Sequence, residues 1–347
     1  MHIKTFVLVL TFSMSGLCQF FLEAVGQEAG LPVRLMFYNV ENLFDIYDDT
    51  ITEDDDFLPA GIMRWNFSRY HDKINSLYKT ITAAGEWDPP AVVAFCEVEN
   101  RKVLEDLTGK TSLSNYGYDI IHEDSPDERG IDVCLIYRKN LVNVLGYRYL
   151  VPLGVDDFSS RSVLYSRLVI MSDTIHMFVN HWPSRRGGVL AGESLRHDIS
   201  EMVANAADSI NCRSRGLSKI IIAGDFNCLP DDDAIESFTR VRYHDVNKHC
   251  EGGFTNLSRK AYHNGEGTYR YRGIWEMLDQ VIVSRQLIRC DKGLYADENS
   301  FRIFRPDFLL KPDPSYPGMT TFSTYRGYRY QGGFSDHLPV LLDLHLR

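Results

Sequence analysis

The chain has 347 residues, 44% hydrophobic, 24% charged and 12% aromatic, a globular composition without a long biased tract. A formal charge of −10 at pH 7 excludes a nonspecific nucleic-acid binder that works through a basic surface, but not an enzyme that meets phosphates locally with divalent cations. The seven cysteines are widely spaced and form no CxxC, which excludes a small disulfide scaffold.

In chain order, the N-terminus MHIKTFVLVLTFSMSGLCQFFLEAVGQ carries Lys4, an apolar run and then Ala24-Val25-Gly26, a small-x-small pattern suited to cleavage before Gln27. Residues 1–26 are therefore expected to be a signal peptide. Glu23 interrupts the run at about the length where a membrane span would only be finishing, which favours a cleaved leader over an anchor. Lipid anchoring at Cys18 is the weaker alternative, because Leu17 is a poor residue before a lipidated cysteine. The expected product is a monomer without a membrane span, exported to the periplasm or secreted. With no repeat and no Pro/Gly/Ser linker, residues 27–347 read as one domain.

Apolar runs predict strands at Arg34–Asn39, Ala91–Cys96, Ile131–Tyr137, Thr174–Asn180, Lys219–Ala223, Leu278–Val283 and Pro339–Leu344. Helical spacing of Ile74, Leu77, Tyr78 and Ile81 predicts a helix over Ser68–Ala84, with Ser68 or Asn66 as its N-cap. A second helix over Glu193–Ile210 gathers Leu195, Ile199, Met202, Val203 and Ala206. A short third helix, Asp231–Phe238, opens on three aspartates that suit its positive end. Cys96 and Cys134 fall inside strands as small buried side chains, while export leaves a bridge open among Cys212, Cys250 and Cys290. The acidic stretch Asp45–Asp56 lacks the spacing and glycine of an EF-hand and reads as a solvated loop. His244, His249 and Cys250 lack the second cluster that a zinc site needs.

The chemistry lies where strands end. In IIIAGDFNCLP, a buried strand runs out at Asp225 and Asn227, which point to one face because side chains alternate. Such an oxygen pair suits a hard cation such as Mg²⁺, or a phosphate beside one; a plain polar turn is the competing reading. Other strand ends repeat the theme. Asn39 precedes Val40-Glu41-Asn42, Glu97 precedes Val98-Glu99-Asn100, His181 precedes Trp182-Pro183, and Ser335-Asp336-His337 leads into the last strand.

The motifs FYNVENLFD (37–45), VVAFCEVEN (92–100), FVNHWPS (178–184), IAGDFNCLPDD (222–232), MLDQVIVS (277–284) and FSDHLPVLLDL (334–344) resemble the endonuclease/exonuclease/phosphatase family, the DNase I-like fold. The resemblance implies an α/β four-layer sandwich: two packed mixed β-sheets flanked by helices, with a cleft at the strand ends. It further implies Asn39, Glu97 and Asp336 as the metal side, with Glu97 the principal Mg²⁺ ligand and Mn²⁺ an alternative ion. Asp225 and Asn227 would position the attacking water and a phosphate oxygen, and His337 would face the phosphate. Asp279 would hold His337 in one tautomer and favour its imidazolium, and His181 would be the other catalytic histidine. These roles match what in-line attack on a phosphate ester requires: an aligned water, a base, and positive charge against the equatorial oxygens. Either histidine, if protonated, would donate to the developing charge.

Two departures bear on substrate. Glu99 stands where several family nucleases place an arginine, and Cys96 stands where a glutamine is common. Arg185 and Arg186 follow His181 closely and are the candidate phosphate contacts. In the runs TYRYRGIW (268–275) and TYRGYRYQGG (324–333), base stacking and mere exposure are equally good readings. The leading expectation is a Mg²⁺-dependent nuclease whose partner is nucleic acid. The alternatives are a phosphatase or phospholipase C-type enzyme on inositol phosphates or sphingomyelin, and a noncatalytic binding protein on the same fold.

Overall fold

The computed structural model describes residues 30–155, 158–185, 192–239 and 253–347. The leader expected at 1–26, Cys18, Arg186 and the His244–Cys250 segment lie outside the described residues. Among those described, no helix is long and apolar enough to cross a membrane.

Two mixed sheets form the frame. In the first, the strands run in the order Leu294–Tyr295, Val340–Leu346, Val33–Leu43, Val92–Val98, Asp132–Arg138 and Tyr118–Ile121, with Phe301–Ile303 also paired to Val340–Leu346. In the second, the order is Val142–Leu150, Val163–Ile170, Asp173–His181, Lys219–Asp225, Asp279–Ser284 and Phe254–Asn256. One parallel pair lies inside each sheet: Val33–Leu43 with Val92–Val98, and Asp173–His181 with Lys219–Asp225.

Side-chain alternation explains the layering. Leu35 and Phe37 point to the interior between the sheets, where they join Ala94, Leu135, Met177, Ile221, Val281 and Leu342. Met36 and Tyr38 point the other way, onto helices Phe67–Gly85 and Arg101–Gly109 through Ile74, Leu77, Ile81 and Leu104. On the far side, Phe178, Ile220, Ile222 and Ile282 pack on Ile199 and Val203 of helix Glu193–Arg213. The result is helix, sheet, sheet, helix: the four layers expected.

Asn66 caps the first helix by accepting from Arg69 N at 3.2 Å. In the second expected helix the buried face is Ile199, Val203, Ala204 and Ala207, with Leu195, Met202 and Ala206 only partly covered. The short helix spans Asp233–Thr239, so Asp231 and Asp232 precede it. Cys96 and Cys134 are buried thiols, as expected, and Cys228 and Cys290 are also buried without a disulfide. The acidic loop departs from the solvated expectation at Asp54, which is buried and accepts from Asp49 N at 3.1 Å, while Phe57 stacks on Phe44 with ring centroids 4.4 Å apart.

Parallel pairing decides where the chemistry sits. Parallel neighbours end at the same edge, and their antiparallel partners begin there. Asn39, where the pairing register breaks, and Glu97 therefore lie toward the edge of the first sheet where Val340–Leu346 enters after Asp336 and His337. In the second sheet, His181 pairs directly with Asp225, and Asp225 with Asp279.

Candidate active site

Each strand end is shaped to turn its side chain inward. Cys96 pairs with Val133 and Val98 with Asp132, so Glu97 is the extra residue of a bulge, and its φ of 63° is left-handed. A bulge re-aims a side chain, and a non-glycine residue held in that region costs on the order of 1–3 kcal/mol that the surroundings must offset. Here the offset is visible: Glu97 Oε2 accepts from Asn42 N at 3.0 Å and Oε1 from Asn39 Nδ2 at 3.2 Å. Asn227 takes φ 47°, and its amide donates to Asp225 Oδ1 at 3.0 Å, an Asx-type turn that closes GDFN. Gly224 is required beside it, because a Cβ there would collide with the carbonyl oxygen of Asn180 on the parallel neighbour.

At the site, one side-chain amide spans the two sheets. Asn39 Nδ2 reaches both Glu97 of its own sheet and Asp225 Oδ2 of the other, the latter at 3.0 Å. His181 Nε2 lies 3.7 Å from Glu97 Oε1 and 3.8 Å from Asp225 Oδ2, and His337 Nε2 lies 3.8 Å from the same Asp225 oxygen. His337 Nδ1 is 2.7 Å from Asp279 Oδ2. Asn227 Nδ2 donates to the Trp182 carbonyl at 3.0 Å. The SDH turn is pinned by Ser335, whose hydroxyl donates to Asn39 O at 2.7 Å and accepts from His337 N at 3.1 Å.

The two imidazoles are driven apart electrostatically. Burial disfavours the cation at His337, but Asp279 and Asp225 outweigh it and raise its pKa well above the usual histidine value. At His181, burial lowers the pKa well below the usual value, and Arg161, Arg129 and His337 lower it further. These shifts favour the cation at His337, as pairing with Asp279 leads one to expect, and the neutral ring at His181. His181 Nδ1 is buried without a hydrogen-bond partner.

The donors fit a hard divalent cation. Four carboxylates, Glu97, Asp225, Asp279 and Asp336, are gathered around His337, with buried Lys73 as a further cation acting on Asp336 and Glu97. Burial, opposed by His337 and reinforced by Asp279, raises Asp225; burial and Glu41 push Asp336 up to about 8. Crowded carboxylates with too little positive charge behave in this way, and oxygen ligands of this kind suit Mg²⁺ or Mn²⁺. Ligand atoms of His181, Asp225 and Cys96 also lie within 4.8 Å of one another, but burial raises the Cys96 thiol well above its usual value, so it is a neutral neighbour.

Several supporting residues escaped sequence reading. Arg161, buried, donates to Asp127 Oδ2 at 2.9 Å and to the Trp182 carbonyl at 2.8 Å, so it holds the turn after His181. Lys73 is buried in the first helix and donates to Thr324 Oγ1 and Phe334 O, both at 2.6 Å. Glu41 accepts from Thr324 N at 2.6 Å and Tyr325 N at 2.9 Å. Tyr269 lies against His337 with ring centroids 4.8 Å apart. A lysine on the apolar face next to Ile74 and Leu77 was the readable signal for Lys73; no local pattern marks Arg161. Glu99, the departure from the nuclease pattern, is buried and accepts from Asp45 N at 2.6 Å. Arg185 donates to Asn227 O at 2.8 Å and stands 3.4 Å from Asp232 and 3.9 Å from Glu276, so it braces the GDFN turn from outside.

Fold and site together define a phosphoesterase-type α/β sandwich. A model of the Endonuclease/Exonuclease/phosphatase family matches residues 34–346, and the chain belongs to that family, whose members are phosphoesterase hydrolases. Among solved structures, an endonuclease/exonuclease/phosphatase from Bacteroides vulgatus is similar at 15% identity and TM-score 0.54, covering 91% of this chain and 99% of that one. A mannosyl-6-phosphatase from Bacteroides thetaiotaomicron is similar at 16% identity and TM-score 0.55, covering 90% and 99%. D. rerio TDP2 complexed with single strand DNA product is similar at 13% identity and TM-score 0.52, covering 90% and 98%. No curated protein is similar enough to count as a match.

Proposed function

We propose that the chain is a divalent-metal-dependent phosphodiesterase, a nuclease in the first instance, that cleaves by in-line attack of water. The observation that carries this reading is that His181 Nε2 lies 3.7 Å from Glu97 Oε1 and 3.8 Å from Asp225 Oδ2, the same oxygen that His337 Nε2 approaches to 3.8 Å. Glu97, with Asn39 and Asp336 beside it, would hold a Mg²⁺ or Mn²⁺ ion, which when bound supplies positive charge against the phosphoryl oxygens and acidifies water.

The remaining work belongs to the chain's own groups. Asp225 Oδ2 takes the proton of the attacking water, and the Asn227 turn fixes that carboxylate through Oδ1. His337, kept cationic by Asp279, donates from Nε2 to a phosphoryl oxygen as charge grows there. His181, neutral and fixed between Glu97 and Asp225, offers Nε2 to a second oxygen. Arg185, together with Arg186, is assigned to the substrate phosphate; its bond to Asn227 O couples that contact to the GDFN turn.

A phosphatase acting on a sugar or inositol phosphate is the second reading, favoured by the likeness to the mannosyl-6-phosphatase and by burial of Glu99 in place of a nuclease arginine. The test is turnover of bis-p-nitrophenyl phosphate with Mg²⁺ or Mn²⁺ and with EDTA, followed by DNA, RNA, inositol phosphates, sugar phosphates and sphingomyelin. Metal-dependent cleavage of the diester and of nucleic acid is expected. Turnover that persists in EDTA refutes the metal role, and cleavage restricted to monoesters selects the second reading.

A further inference from the structure

The strands Tyr269–Tyr271 and Ile274–Glu276 form a hairpin whose two faces do different things. Its turn places Arg272 at φ 49° and Gly273 at φ 85°, two consecutive left-handed residues of the kind that give a tight hairpin. Tyr269 pairs with Glu276, Arg270 with Trp275, and Tyr271 with Ile274. Alternation therefore puts Arg270 and Trp275 on one face and the other four residues on the opposite face.

The first face is an anchor. The Arg270 guanidinium donates to the carbonyls of Gly273 at 3.1 Å and Pro317 at 2.6 Å and to that of Met319, and its side chain is almost wholly buried. It fixes the hairpin to the neighbouring Leu310–Pro312 and Met319–Thr321 pair.

The second face looks into the cleft, as its inner pair shows. Tyr269 covers His337, and Glu276 lies 3.9 Å from Arg185. The next pair outward on that face is Tyr271 and Ile274, roughly 7 Å further along the strands. Both are exposed, at 49% and 68%, and the Arg272 guanidinium lies 5.1 Å from the Tyr271 ring. A half-exposed aromatic ring beside an aliphatic one, with a guanidinium over the ring, one strand repeat from the reacting centre, is positioned for a group attached to the scissile phosphate rather than for the phosphate itself.

We infer that Tyr271 and Ile274 form a stacking subsite for a base of single-stranded nucleic acid flanking the scissile phosphate. The inference rests on the phosphodiesterase reading above and adds to it the class of substrate. A nucleic-acid strand fits the chemistry: every base offers a π face to Tyr271, and the adjoining backbone phosphate meets Arg272. A sugar phosphate has no π face for the ring.

The test compares binding of an oligothymidylate with that of an abasic strand of equal length, by fluorescence anisotropy in EDTA. The strands share phosphates and differ only in bases. The thymidylate is expected to bind roughly 5- to 150-fold tighter, the range that stacking one base provides. Tyr271→Ala should bring that ratio close to one, while Tyr271→Phe, which keeps the ring, should preserve it. Equal binding of both strands by the parent protein, a ratio unchanged in Tyr271→Ala, or Tyr271-dependent binding to sphingomyelin vesicles in place of the strand overturns the inference. Parental turnover of bis-p-nitrophenyl phosphate separates the two layers. An active diesterase without base preference sinks the subsite alone, whereas an inert protein with a Tyr271-dependent base preference sinks only the proposed reaction.

Discussion

Lys73→Met tests the claim that a buried cation, remote in sequence from every proposed ligand, holds the SDH segment in place. The ammonium makes two hydrogen bonds of 2.6 Å, to the Thr324 hydroxyl and the Phe334 carbonyl, and Thr324 also gives its N–H to Glu41 at 2.6 Å. Lys73 and Glu41 thus grip opposite sides of one residue. Burial lowers the Lys73 pKa to about 8 against the pull of Glu41 and Asp336, so its counter-charges are needed to keep it protonated. Methionine fills much of the volume but leaves Glu41 as a buried carboxylate facing no cation, which costs roughly 3–5 kcal/mol. Lys73→Met with Glu41→Gln removes both charges and should recover roughly 1–3 kcal/mol of that loss, the size of coupling expected for residues in one network. Because Phe334 lies two residues before Asp336, the same substitution should slow turnover by about a hundredfold if the histidine and carboxylate shift by about 1 Å. Urea titration of the single and double variants gives the stability cycle, and diester turnover below the unfolding midpoint gives the rate. A single variant within about 1 kcal/mol of the parent, or a double variant no more stable than the single, would refute the reasoning.

Other expectations follow from the same geometry. His181→Ala and Asp225→Asn should each reduce diester turnover by about a hundredfold or more, and near-parental rates would remove them from the reaction. Asp279→Asn takes the negative charge from His337 Nδ1. Since Asp279 raises the folded pKa, the imidazolium is then lost at lower pH, and the alkaline limb of the rate profile should move toward acid; an unmoved limb would contradict the pairing. Arg161→Leu leaves Asp127 with Arg129 as its cation and the Trp182 carbonyl with Asn227 as its donor, and should cost roughly 1–3 kcal/mol in urea titration. A parental midpoint would show that the pair is not a brace.

Local pattern was enough to find the strands that carry long apolar runs, because their side chains are covered on both faces and the runs are continuous. Thus the expected strands Lys219–Ala223 and Pro339–Leu344 lie within two residues of the observed Lys219–Asp225 and Val340–Leu346. Strands interrupted by polar residues were not legible. Val142–Leu150 interleaves Asn143, Gly146 and Arg148, and Val163–Ile170 is broken by Ser166 and Arg167, so neither presents an apolar run. The same contrast governs the site. Asn39, Glu97, His181, Asp225 and His337 sit at the ends of readable strands, and the structure draws them together. Arg161 and Lys73 act through carbonyl groups far away in the chain, a relation that no spacing encodes. The pairing with Asp279 that favours the imidazolium at His337 was legible, but the lowered pKa of His181 was hidden, since it depends on burial and on Arg161 near the ring.

The cross-sheet amide of Asn39 has a mechanical meaning. Because its two hydrogen bonds end on carboxylates belonging to different sheets, the alignment of the reacting groups is a readout of how the halves of the sandwich slide over each other. Loosened contacts deep in the apolar interior, with every polar residue of the cleft unchanged, would therefore blunt the enzyme well before the chain lost its shape.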